Sequence, residues 1–128
     1  MKNLNTYITE KILINKTTKT YHYHYYPTSF DELKELVDKL IKERGNNANL
    51  NDIDTSEITD MAQLFYNSKF NGDISGWDVS NVEDMDRMFA YSSFNGNISD
   101  WDISNVKNMN FVFDYSHLEK NPPKWYKK

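Results

Sequence analysis

Carboxylates recur at a fixed interval in the middle of this 128-residue chain: Asp54, Asp78 and Asp102 are evenly spaced along it. If the units carrying them stack, these groups lie about 5 Å apart. Like charges at that distance repel unless each has a local hydrogen-bond donor, a shared cation or a basic partner. Three readings follow: acceptors in turns and helix starts, a calcium-type site, and an acidic docking face. Histidine supplies a second candidate, His22 and His24 in the run TTKTYHYHYY. On a strand both would point the same way, about 7 Å apart, but no third ligand stands near and the remaining histidine is His117. A partly exposed strand face accounts for the pair more simply. No phosphate loop, no nucleophile with a plausible base and no His and carboxylate set at metal spacing is present, so neither an enzyme nor a cofactor is expected. The absence of cysteine rules out a disulfide scaffold and a thiolate zinc site.

Charge is unevenly spread. Residues 1–49 hold eight Lys or Arg against six Asp or Glu, residues 50–117 three against twelve, and residues 118–128 four against one. The net charges are +2, −9 and +3, which give the formal −4 of the chain. Such an acidic middle repels nucleic acid and anionic membrane and attracts a basic protein. No run approaches the roughly 20 apolar residues of a membrane span, and the first residues lack a signal-peptide core. The expectation is a cytoplasmic or packaged protein with a protein partner and no direct nucleic-acid or membrane binding; oligomeric state is left open.

The elements that must position these groups fall into three parts. Residues 1–49 read as an N-terminal cap. Leu4, Ile8 and Ile12 at fourfold spacing predict a short amphipathic helix, and the alternation over 17–26 predicts an aromatic strand that Pro27 stops. Ser29 with Glu32 forms a capping box. Phe30, Leu33, Leu36, Val37, Leu40 and Ile41 make one apolar stripe, and Gly45 ends the helix.

Residues 50–121 are repeats, in three units: Leu50 to Asp73, Ile74 to Asn97 and Ile98 to Asn121. Met61, Met85 and Met109 share one column, Phe65, Phe89 and Phe113 a second, and Trp77, Trp101 and Trp125 a third, all at intervals of 24. Ile74 to Val79 fits an extended segment, whereas Val82, Met85, Met88 and Phe89 have helical spacing. Ser80 is placed to cap that helix with Glu83, and Ser56 and Ser104 hold the same column. Asn71-Gly72 and Asn95-Gly96 supply turns. Residues 122–128 form a C-terminal cap, where Pro122-Pro123 ends the pairing and Trp125 covers the open end.

Two resemblances attach to these residues. FNGDISGWDVSNVEDMDRMF and FNGNISDWDISNVKNMNFVF resemble the BspA-like leucine-rich-repeat variant of mycoplasma surface lipoproteins, bacterial adhesins and phage-encoded proteins. The resemblance covers residues 50–121. It implies an α+β fold: a short right-handed leucine-rich-repeat-like solenoid of about three strand–helix repeats with an N-terminal strand and helix cap. It also implies protein binding, with no catalytic residues to carry over. MKNLNTYITEK is similar to the capsid-targeting leader of phage internal head proteins, which implies a processing site at Glu10.

The function expected is a non-enzymatic protein-binding module, encoded by a phage or mobile element, that occupies a basic host protein such as a component of a defence system. The alternative is a structural or adhesive repeat protein, packaged in a phage head or displayed on a cell. The binding candidates are the column Asp54, Asp78 and Asp102, and an outward face with Arg87, Tyr91, Phe111 and Tyr115 bordered by Asp84 and Asp86.

Overall fold

A computed structural model describes residues 23–127. The first predicted helix, most of the predicted strand, His22 and Glu10 lie outside the described residues. Two helices are present among the described residues: α1, Phe30–Arg44, and α2, His117–Lys120.

Helix α1 forms where its local signals place it. The Ser29 hydroxyl accepts from the Glu32 amide at 3.2 Å. Glu32 does not close the box on Ser29, however: its carboxylate accepts from the amide and hydroxyl of Thr28, at 2.7 and 2.9 Å. Those bonds, the amide first, hold the Glu32 carboxyl below its ordinary pKa. At the other end Gly45 takes φ 93° and its amide bonds to the Ile41 carbonyl. Leu33, Val37 and Leu40 are buried.

The repeats do not fold as strand and helix. No sheet forms among the described residues: Tyr25 bridges Ile53, Asn49 bridges Asp73, Asp60 bridges Asp84 and Asp84 bridges Asn108, each an isolated parallel bridge. No helix forms over 82–89 or its counterparts either, so the expected α+β fold, a leucine-rich-repeat-like solenoid of strand–helix units, is wrong. The reason lies in the backbone. Gln63, Asn67, Arg87, Tyr91, Phe111 and Tyr115 adopt φ between 54° and 61°, a left-handed conformation that interrupts a right-handed helix twice per unit. Carbonyls of Met85, Arg87 and Phe89 accept from the amides three residues on, in consecutive turns. The intervening amides, of Met85, Arg87, Phe89 and Tyr91, donate instead to the next unit, to Asn108, Asn110, Val112 and Asp114 carbonyls at 2.7–2.9 Å. An amide committed to its neighbour cannot close an α-helical bond. The apolar spacing of 82–89 is the signature of tandem turns here. The extended segment expected at 74–79 is likewise broken, since the Trp77 amide bonds to the Ile74 carbonyl.

The repeat units thus stack through backbone bonds that run from residue n to residue n+23, as from Met61 to Asp84 and from Met85 to Asn108. The same ladder joins Gln63, Phe65 and Asn67 to the second unit. Inside, Phe65, Phe89 and Phe113 stack with centroids 5.6 and 5.9 Å apart. Each tryptophan ties its unit to the one before: Trp77 Nε1 donates to the Leu50 carbonyl, Trp101 to Ile74 and Trp125 to Ile98, at 3.0, 3.3 and 2.7 Å. Glycine is needed at position 72 for close approach, since a Cβ there would strike the Ala48 carbonyl and the Phe70 ring. Its φ is not left-handed, so the sharp turn expected of Asn71-Gly72 is not what the glycine serves.

Candidate protein-binding surface

The acidic column is explained locally. Asp54 Oδ1 accepts from the Ser56 amide and Asp102 Oδ1 from the Ser104 amide, each at 3.0 Å. Asp78 Oδ1 takes both the Ser80 amide, at 3.0 Å, and its hydroxyl, at 2.6 Å. Ser80 therefore donates into an Asx turn and caps no helix. Bonds from Ser104, its side chain first and then its amide, keep the Asp102 carboxyl below its ordinary range. Two more columns use the same device. Asn49, Asp73 and Asn97 accept from the amides of Asn51, Ser75 and Ser99; Asp60, Asp84 and Asn108 accept from Ala62, Asp86 and Asn110. Asp and Asn interchange in these columns, so the turn needs an acceptor oxygen and the charge is secondary. Among the described residues no group of three His, Cys, Asp or Glu is placed to hold a metal ion. His24 faces Asp52, its Nδ1 2.9 Å from Oδ2.

Four of the predicted residues do come together. Positive φ turns the side chains of Arg87, Tyr91, Phe111 and Tyr115 along one side of the stack. The Arg87 guanidinium lies 4.5 Å from the centroid of the Phe111 ring, and the same Arg87 pairs with Asp86 at 2.8 Å. Tyr91 and Tyr115 stack with centroids 4.9 Å apart and planes 18° apart. Tyr91, Phe111 and Tyr115 remain 52%, 52% and 70% exposed. They line an open groove of about 300 Å³ together with Tyr66, Ala90 and Asp114. The rings do not pack on the C-terminal tail, whose Trp125 and Tyr126 contact Phe113 instead, at 5.9 and 5.1 Å.

Tyr66 was not among the expected residues. Its ring meets Tyr91 edge-on at 5.8 Å and is 44% exposed. Its own column continues as Ala90 and Asp114, so a search for aromatics recurring at the repeat interval passes over it. The small Ala90 is the available signal, because it leaves room for Tyr66 to lean across to Tyr91. Asp84 and Asp86 border the group but are engaged, Asp84 in a bridge and a turn and Asp86 with Arg87. Asp54, Asp78 and Asp102 occupy a separate column of turns.

Stacked units of one length with recurring core columns define a tandem-repeat protein. Residues 31–128 match a family described as Mycoplasma protein of unknown function, DUF285, and the chain belongs to that family. The match agrees with the mycoplasma-type repeat resemblance of residues 50–121. No curated protein and no solved structure matches the chain. Among the described residues no helix is long and apolar enough to cross a membrane.

Proposed function

We propose that this protein is a non-enzymatic binding module that holds a protein partner on the row formed by Tyr66, Tyr91, Tyr115, Phe111 and Arg87. The observation that carries this reading is the ordered but exposed set of rings. Tyr91 and Tyr115 stack at 4.9 Å and the Arg87 guanidinium lies 4.5 Å from the Phe111 centroid, yet the rings stay in water, an arrangement that folding alone does not reward. The left-handed backbone beneath them belongs to the repeat, since Gln63 and Asn67 share it. Preordered aromatics and an arginine are the residue types that dominate binding energy at protein interfaces.

The surrounding units carry three basic residues against twelve acidic over 50–117, which favours a partner with a basic rim. In its more specific form the reading is that a phage or mobile element encodes the chain and that it occupies a basic host protein of a defence system.

Replacing Tyr91 and Tyr115 together by alanine tests the surface. Neither side chain contributes to the buried core, so the double variant should melt within a few degrees of the parent. It should also lose at least ten-fold in retention of a protein that the parent captures from bacterial lysate. Equal retention by the two proteins excludes the ring row as the binding surface.

A further inference from the structure

The ladder that joins the units has a last rung with no occupant. At the first junction Asp84 donates its amide to the Thr59 carbonyl and accepts the Met61 amide; the Asp86 carbonyl then accepts from Gln63. At the second junction Asn108 donates to Glu83 and accepts from Met85, and Asn110 accepts from Arg87. One unit further on, the matching groups are the Lys107 carbonyl and the amides of Met109 and Phe111, and none has a hydrogen-bond partner among the described residues. The rest of this row is covered, although the Phe113 amide also lacks an acceptor among the described residues. Phe113 is buried under Trp125 and Tyr126, and the Tyr115 amide donates to Glu119 Oε1 at 3.1 Å. The tail and α2 therefore close one half of the edge and leave the half at 107–111 open.

The side chains agree. Val79, Val82 and Met85 are buried, whereas their counterparts Ile103, Val106 and Met109 are only partly so. In the earlier units the cover comes from the next unit's segment, in which Asp or Asn bridges and methionine follows: Asp84-Met85, then Asn108-Met109.

We propose that the open half of this edge binds an extended segment of a partner protein, running parallel to residues 107–111, with Asp or Asn at the bridging position and a large aliphatic side chain after it. The segment donates one amide to the Lys107 carbonyl and accepts from Met109 and Phe111, repeating the interface the chain already makes twice with itself. In a second copy Asp84 and Asn108 are already paired. Asp60-Met61 of its first unit is bridged on one side only among the described residues, and stacking of copies through that pair is the competing outcome, which the test below reads by its dependence on protein concentration. This inference concerns the backbone edge that adjoins the ring row at Phe111 and does not depend on the exposed rings of Tyr91 and Tyr115.

The test uses the full-length protein and a synthetic peptide copying residues 81–92, NVEDMDRMFAYS, followed by amide hydrogen exchange. Without peptide, Met109 and Phe111 should exchange freely while Met85, Arg87 and Phe89 are protected. With peptide in excess, Met109 and Phe111 should slow at least ten-fold, and a peptide with proline for the bridging aspartate should lose that effect. The protein variant Tyr91→Ala/Tyr115→Ala should still respond, so failure of the ring-row reading and failure of this one are separable. Absence of slowing, or equal slowing by the proline peptide, overturns the proposal. Protection of Met109 and Phe111 that grows with protein concentration and needs no peptide also overturns it, by giving the edge to a second copy.

Discussion

The second and third units carry nearly the same residues in different surroundings. Val79, Val82 and Met85 are closed off from water, whereas Ile103, Val106 and Met109 stay partly in it. What separates them is the neighbour: the second unit has one on each side, the third has one unit and a short tail. Burial in such a stack is therefore conferred by position, and the same substitution should cost different amounts in equivalent columns.

The methionine column gives the widest gap. Met85→Ala removes a fully buried side chain between two units and should lower unfolding free energy by about 3 kcal/mol. Met109→Ala, at the partly open edge, should lower it by about 1 kcal/mol. Urea denaturation of both variants measures the difference. Equal losses would mean that the third unit is covered in the isolated protein, by another copy of the chain.

How much of this was legible beforehand depends on which physical signal a residue carries. The period, the Phe and Trp columns and the span of α1 were readable because a buried ring or a cap leaves a letter at a fixed place. The backbone inside the units was not. Val82, Met85, Met88 and Phe89 have helical spacing, but tandem turns with left-handed residues produce the same inward positions. Left-handed φ is ordinarily announced by Gly or Asn, and among its six non-glycine holders only Asn67 is of that kind. The outward residues Arg87, Tyr91, Phe111 and Tyr115 were found because one column points one way whatever the backbone does. Tyr66 was missed because it reaches across columns. The Asp column was visible as a pattern, yet its reason, an acceptor for the amide two residues on, became plain only beside the Asn-containing columns.

The ends of the stack can be compared through their carboxylates. Burial pushes the Asp52 carboxyl up, but the Arg44 hydrogen bonds, then the one from His24 and the Arg44 charge, outweigh it and hold the group below its ordinary pKa. A depressed folded-state pKa contributes stability above the unfolded value near 3.9, and that contribution is lost as pH falls through the folded value. Asp52→Asn should therefore cost about 1 kcal/mol at pH 7 and flatten the loss of stability between neutral pH and about pH 3. Asp102 is also depressed, by Ser104, but it is fully exposed, and asparagine can make the same turn, as Asn97 and Asn108 do. Asp102→Asn should flatten the acid profile less than Asp52→Asn does. An equal flattening by both variants would show that the charge of the Asx columns, and not only their acceptor oxygen, holds the units together.

The smallest expected effect concerns a feature the first and last units share. Gln63 in the first unit and Phe111 in the third have φ of 61° and 57°, so the left-handed turn does not depend on how well a unit is covered. Gln63 is exposed, and no side-chain bond or ring contact ties it down among the described residues. Gln63→Gly should relieve about 1–2 kcal/mol of backbone strain and lose about 0.5–1 kcal/mol to the greater freedom of the unfolded chain. The net is a stabilisation of about 0.5 kcal/mol. For a chain of this size that is a rise of a degree or two in melting temperature. Ala62→Gly, one residue earlier at negative φ, has no strain to release and should be destabilised by about 0.5–1 kcal/mol. A rise in one and a fall in the other would establish that the strain is real and sits at fixed positions in every unit. It would follow that the same cost recurs at Tyr91 and Phe111 as a property of the repeat backbone, independent of the side chain the position carries.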